Sequence, residues 1–263
     1  MSDAAIVADG VSFAYGGDVA LRTSTFEIPD GAITALIGPN GSGKSTLLNG
    51  IAGLADPISG SIEVRPIGQR ARRVSYVLQS TKVNDALPVT VREVVAMGRY
   101  AERKTFGRFT SADRAAINDA MDRMDIVSLG GRHLTELSGG QRQRAFVAQG
   151  LAQDHDVLLL DEPLTGLDIV SAQAIDDVIH DEHAHGCTVV MTTHDLAEAR
   201  VADHVILLSG RVVAHGPPAD VLTIDHLTEA YGASLLHVDG ERLFIDDPHH
   251  HPTDRRHTHE RSA

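Results

Sequence analysis

Long apolar runs are what this sequence most conspicuously lacks, since no stretch approaches the roughly 18 uninterrupted apolar residues that a membrane helix requires. The chain cannot itself form a channel, and if it drives transport it must dock on a separate membrane protein. Its start, Met1-Ser2-Asp3-Ala4, carries no charged and apolar leader, so a secretory signal is not expected. Cysteine is nearly absent. Cys187 stands alone before the apolar stretch Thr188 to Met191, which leaves no disulfide framework, fits a reducing cytosol and reads as an inert, half-buried thiol. Positive charge is also short. With 23 Lys and Arg against 36 Asp and Glu the net charge is -13, which argues against a nucleic-acid partner, because such binding uses clustered cations to displace counterions.

The 263 residues present are enough for one large domain, or a core with a subdomain, around a substantial apolar interior. Short β-rich runs at Ile6 to Ala14, Ser24 to Ile28 and Ser61 to Val64, separated by Gly16-Gly17 and Pro29-Asp30-Gly31, predict an antiparallel β region. From Val89 to Leu129 the period becomes helical: Val91, Val94, Val95 and Gly98 share one face, and Ala116, Ile117, Ala120, Met121 and Met124 another. Thr110 or Ser111 is the expected N-cap of the second helix, with Asp113 in its first turn. Apolar strands Val157 to Leu160, Thr188 to Met191 and His204 to Leu208 alternate with helices, which predicts a parallel sheet covered on both faces. A return strand, Arg211 to Ala214, follows the turn at Ser209-Gly210.

The stretch Gly38-Pro39-Asn40-Gly41-Ser42-Gly43-Lys44-Ser45-Thr46 fits the phosphate-binding loop G-x-x-x-x-G-K-[ST], placed as it must be between a strand, Ala32 to Ile37, and a helix, Ser45 to Ile51. Glycines let backbone N–H groups curl around phosphate oxygens at a helix N-terminus. Lys44 supplies a point charge to the terminal phosphates, and the Ser45 hydroxyl is placed to ligate Mg²⁺. A second glycine-rich stretch, Leu137-Ser138-Gly139-Gly140-Gln141, is no generic phosphate loop.

That second stretch resembles the signature of the ABC-transporter ATPases, and the resemblance covers nearly the whole chain to about residue 240, with the motifs in family order. It implies an α/β fold: a P-loop NTPase (RecA-like) core with an antiparallel β subdomain and an α-helical signature subdomain. Residues 1–240 would form the ATPase domain, with a helical insertion at about 82–150. Residues 241–263 would form a His-rich polar tail, expected to be disordered. The resemblance implies ATP and Mg²⁺ as cofactors. It also implies a head-to-tail dimer in which the phosphate loop of one copy faces Ser138, Gly139, Gly140 and Gln141 of the other.

Site residues follow from the same resemblance. Val157 to Pro163 takes the form of a Walker B element, in which Asp161 holds Mg²⁺ and Glu162 polarises the attacking water. His194, after the next apolar strand, belongs at the same carboxyl edge of the sheet, where open α/β folds bind ligands, and matches a histidine that contacts the γ-phosphate. Gln79 matches the glutamine that reaches Mg²⁺ and the water. Asp168, in Leu164-Thr165-Gly166-Leu167-Asp168, matches a loop near the dimer interface. Tyr15 matches the aromatic that stacks on adenine; the competing reading is a strand aromatic packed in the core.

Cargo rests on a narrower likeness. Val91 to Tyr100, Val147 to Gln153 and a His-rich tail most resemble bacterial zinc and manganese importer ATPases. Importers of iron-siderophore, haem or cobalamin chelates are the alternative, and a soluble non-transport ABC ATPase or nucleotide switch is the alternative class. The implied partners are a membrane permease and, through it, an extracytoplasmic metal-binding protein, with this chain at the cytoplasmic face of the membrane. Two histidine groups remain. His180-Asp181-Glu182-His183-Ala184-His185 reads as a solvated face at a helix end closed by Gly186. The tail residues His249, His250, His251, His257 and His259 could gather an ion such as Zn²⁺ without fixed geometry.

Overall fold

The computed structural model describes residues 4–78, 88–100, 108–232, 236–239 and 242–245, with only the backbone for Tyr15 and for the last two segments. Two sheets organise the part that carries the motifs. In the smaller one, β1 (Ala4–Tyr15) is central, paired antiparallel with β2 (Asp18–Pro29) on one side and β4 (Ser59–Val64) on the other. The larger sheet has the order β5-β6-β7-β3-β8-β9, with β5 (Val74–Val77), β6 (Val157–Leu160), β7 (Thr188–Thr193), β3 (Ile33–Ile37) and β8 (His204–Leu208) all parallel. Only β9 (Val212–Gly216) runs antiparallel, as the return strand after Gly210, whose φ of 64° makes the turn.

Apolar residues on both sides of a strand commit it to burial on both faces. In the large sheet the two-residue period divides them cleanly. Ile33, Ala35, Ile37, Leu158, Leu160, Val189, Met191, Val205 and Leu207 face one core. Leu36, Val157, Leu159, Val190, Ile206 and Leu208 face the other, which they share with Phe13, Phe26 and the helix α1 (Lys44–Ile51). The first core is covered by α2 (Val91–Met97), α3 (Ser111–Arg123), α4 (Gly139–Leu151), α5 (Ile169–Ala184) and α6 (Leu196–Val201). Two further helices, α7 (Pro218–Val221) and α8 (Ile224–Tyr231), follow β9, and β10 (Leu236–Asp239) pairs with β11 (Arg242–Ile245) as an antiparallel hairpin.

Helix starts are set by side chains that satisfy the otherwise unpaired first-turn N–H groups. Thr110 is the N-cap of α3 and forms a capping box with Asp113, and Thr90 does the same for α2 with Glu93. The two helices are tied by Arg99, buried, whose Nε donates to Asp113 Oδ1 at 3.2 Å while Nη1 donates to the Ala152 carbonyl at 2.9 Å. Gly98 lets α2 approach α4: a Cβ there would lie 2.2 Å from the Gln149 carbonyl oxygen. Among the described residues no helix is long and apolar enough to cross a membrane.

Three expectations fail. The segment His180 to His185 is not a uniformly solvated face, because Glu182 is buried while Asp181 and His185 are exposed. Glu182 continues the buried stripe Ile175, Val178, Ile179 at helical spacing, so the helix turns it inward. Cys187 is buried rather than half-buried. Of the tail 241–263 expected to be disordered, Arg242–Ile245 instead forms strand β11, because Leu243, Phe244 and Ile245 make a short apolar run that pairs with Leu236–Asp239. Residues 241 and 246–263, with Gln79 and the Tyr15 side chain, lie outside the described residues.

Candidate nucleotide site

Strands β6, β7 and β3 are neighbours, and all point the same way, so the segments that follow them meet at one edge of the sheet. Those segments are Asp161-Glu162, His194 and the loop Gly38 to Gly43. In open α/β sheets this carboxyl edge is where ligands bind.

The loop after β3 is shaped by two glycines. Gly38 passes so close to β8 that a Cβ on it would sit 2.2 Å from the Leu208 carbonyl oxygen. Gly43, at φ 102°, is the N-cap of α1 and gives that helix no side-chain cap. An uncapped N-terminus with no acidic residue in its first turn presents N–H groups and a positive dipole end to an anion. The Ser42 hydroxyl is buried and has no hydrogen-bond partner, an atom that a phosphate oxygen would satisfy.

Lys44 is itself buried, and its Nζ donates to the Gly38 carbonyl at 2.7 Å and the Pro39 carbonyl at 3.2 Å. Burial pushes its pKa down, and the charges of Glu162 and Asp161 oppose that shift. The cation and the two carboxylates therefore share one field. Ser45 is exposed beside them. Its hydroxyl and the Asp161 carboxylate would both offer oxygen donors, the kind a hard ion such as Mg²⁺ takes.

The carboxylates are fixed from β7. Thr192, fully buried, donates through Oγ1 to Asp161 Oδ1 at 2.7 Å and accepts from the Glu162 backbone N–H at 2.7 Å. Glu162 has a φ of 49°, in the left-handed region that residues other than glycine rarely occupy. Such backbone persists where its surroundings over-determine it, and here the bond to Thr192 holds it. His194 is exposed at the end of β7.

The glycine-rich stretch at 137–141 does not join this cluster through the packing described for it. Ser138 caps α4, accepting from Gln141 N at 3.3 Å while Gln141 Oε1 accepts from Ser138 N at 3.1 Å. Ser138 and Gly139 are exposed, whereas Gly140 packs on the start of α5, where a Cβ would lie 2.5 Å from Asp168 Oδ2. Asp168 caps α5 by accepting from the Ser171 N–H and hydroxyl, both at 2.9 Å, and those bonds lower its pKa.

Residues 21–165, more than half of the chain, match the family described as ABC transporter. The chain belongs to the ABC transporter family. As an ATP-binding cassette of that family it is an ATPase. Over 253 residues the cassette is 37% identical to the zinc transport system ATP-binding protein TroB of Treponema pallidum, covering 94% of this chain and 95% of that protein. It is also 37% identical over 233 residues to the manganese transport system ATP-binding protein MntA of a Synechocystis strain, covering 86% and 90%. Among solved structures it is similar to an ABC transporter assigned to the metal-chelate type, in an inward-facing conformation. The TM-score is 0.77 and the identity 29%, with 92% of this chain and 96% of that one covered.

Sequence reading missed Thr192 in this cassette. A threonine ending an apolar strand looks like an ordinary β-branched strand residue. The available signal was its place one residue before Thr193 and two before His194, at the height where β6 releases Asp161.

Proposed function

We propose that the chain is the ATP-hydrolysing subunit of an importer for a divalent metal ion, zinc first and manganese next, acting at the cytoplasmic face of a membrane through a separate permease. The observation that carries the ATPase half is the Thr192 oxygen that joins Asp161 and Glu162 at the mouth of the Gly38 to Thr46 loop. The cargo half is supported by the chain-long likeness to zinc and manganese transport ATP-binding proteins.

In this reading the backbone N–H groups of Gly41, Ser42 and Gly43, with Pro39, Asn40 and Thr46 shaping the loop, cradle the phosphates of ATP, and Lys44 turns from its own carbonyls to the β- and γ-oxygens. Ser45, Asp161 and Gln79 would hold Mg²⁺, which when bound would supply positive charge beside the terminal phosphates. Glu162 accepts a proton from the attacking water, His194 contacts the γ-phosphate, and Tyr15 stacks on the adenine. The segment Ser138 to Gln141, with Ser138 and Gly139 exposed at the start of α4, faces the γ-phosphate held by a second copy arranged head to tail, with Asp168 close to that interface.

The permease surface lies at the end of α2, where Met97 is 40% and Tyr100 57% exposed while Gly98 and Arg99 fix the turn from below. An extracytoplasmic metal-binding protein would deliver cargo on the far side. Uptake of labelled zinc and manganese by cells with and without the chain tests the reading. Loss of zinc uptake supports it, and unchanged uptake of both ions refutes it.

A further inference from the structure

We propose that His155, Glu182 and Cys187 form a binding site for a borderline-soft divalent cation of the Zn²⁺ class, at the amino edge of the large sheet. This edge is opposite the nucleotide site, and the site rests on its donors alone, independent of the cargo reading.

The topology brings the three together. His155 enters β6 and Cys187 enters β7, neighbouring parallel strands in which Val157 pairs with Thr188. Glu182 lies in the last turn of α5, and the Cys187 N–H donates to its carbonyl at 3.0 Å. One donor atom from each side chain lies within 4.8 Å of the others. Donors on a tetrahedral ion stand roughly 3.3 to 3.6 Å apart for bonds of about 2.0 Å to nitrogen or oxygen and 2.3 Å to sulfur. Adjustment by about an ångström closes the set, and three protein ligands leave the fourth position to water.

The imidazole is already oriented for such a role. Its Nδ1 donates to the Gln153 carbonyl at 2.8 Å, the outer bond that fixes the ring of a metal-binding histidine. Nε2 points at Glu182 Oε2, 3.0 Å away. Glu182 is oriented too, because Arg123 Nη2 donates to its other oxygen, Oε1, at 2.6 Å. Thiolate, imidazole and carboxylate together suit zinc and disfavour magnesium, which takes oxygen ligands only.

Without an ion the site is held by protons. Burial pulls the His155 pKa down, but the Cys187 sulfur and the Glu182 carboxylate outweigh it and hold the imidazole up at about 10. A bound cation replaces the Nε2 proton, so affinity rises with pH. The ion takes Glu182 Oε2 while Arg123 keeps Oε1. Arg123 bonds Asp181 as well, at 2.7 Å, and so ties α3 to α5; ion binding therefore reaches the helical layer.

Cys187 is the only cysteine of the chain, so a thiolate–metal signal reports this site, even with the histidines of the tail present. The full chain, stripped of metal, is titrated with Co²⁺. A near-ultraviolet thiolate-to-cobalt band is expected, displaced by Zn²⁺ and unaffected by Mg²⁺. Cys187→Ser abolishes it, and His155→Asn weakens Co²⁺ binding by at least about tenfold, the loss that even outer partners cost metal sites. Absence of the band at saturating Co²⁺, or a band unchanged in His155→Asn, overturns the proposal. Zinc-edge X-ray absorption of the unaltered chain gives a reading that no variant's folding can confuse. A sulfur shell at about 2.3 Å supports the site, and a shell of nitrogen and oxygen alone overturns it.

Discussion

Thr192 donates through Oγ1 to Asp161 Oδ1 at 2.7 Å, across the β6–β7 pair. The same oxygen accepts from the Glu162 backbone at 2.7 Å, so one hydroxyl fixes both members of an adjacent carboxylate pair. It orients Asp161 by a bond to its carboxylate and Glu162 by a bond to its backbone. Two neighbouring acids can then take different tasks.

Thr192→Val keeps the strand and removes that hydroxyl. A buried carboxylate and an N–H lose their partner, which costs about 1–3 kcal/mol of stability by denaturant unfolding. ATP turnover falls more than binding does, by roughly tenfold to a hundredfold, because the misplaced group acts at the reacting centre.

Gly38→Ala places a methyl group 2.2 Å from a backbone oxygen of β8, where no flexible side chain can yield. The loop must shift. The expected outcome is a loss of about 1–3 kcal/mol in stability, together with weaker ATP binding measured by calorimetry.

Glu162→Gln preserves size and backbone while removing the proposed proton acceptor. Turnover drops by about 10² to 10⁴-fold with ATP still bound. With MgATP this variant sediments as a dimer, and adding Ser138→Arg returns it to monomer by filling the face offered to the second copy.

The His155–Glu182 pair gives stability a pH dependence. Glu182 is pushed up by burial but held at about 2 by His155 and Arg123, below its ordinary 4.5, so its contribution is present above about 4.5 and lost as pH falls through about 2. His155 is raised from 6.5 to about 10, so its contribution is full below about 6.5 and lost as pH rises through about 10. With Cys187 and Arg123 the other polar groups against the pair, the stability deficit of His155→Gln, measured without metal, is largest between about pH 4.5 and 6.5. It shrinks on either side.

The parts of the candidate nucleotide site were legible in the sequence because they are local. The glycine loop Gly38 to Gly43 and the apolar strand ending in Asp161-Glu162 each declare themselves within ten residues, and parallel strands then carry these two to one edge. Thr110 with Asp113 announced α3 in the same way. What stayed hidden depends on residues far apart in the chain. Thr192 matters only because β7 lies beside β6. Glu182 looked solvated among histidines, although its spacing from Ile175, Val178 and Ile179 marks the buried stripe. His155 and Cys187 meet only because two strands start side by side.

ATP turnover by the purified chain, followed as a function of its own concentration, tests the central claim most directly. Activity per molecule should rise with concentration, as one copy completes the site of another, and fall by at least about 10²-fold in Glu162→Gln. Activity per molecule that is independent of concentration, or that is undiminished in Glu162→Gln, would contradict it.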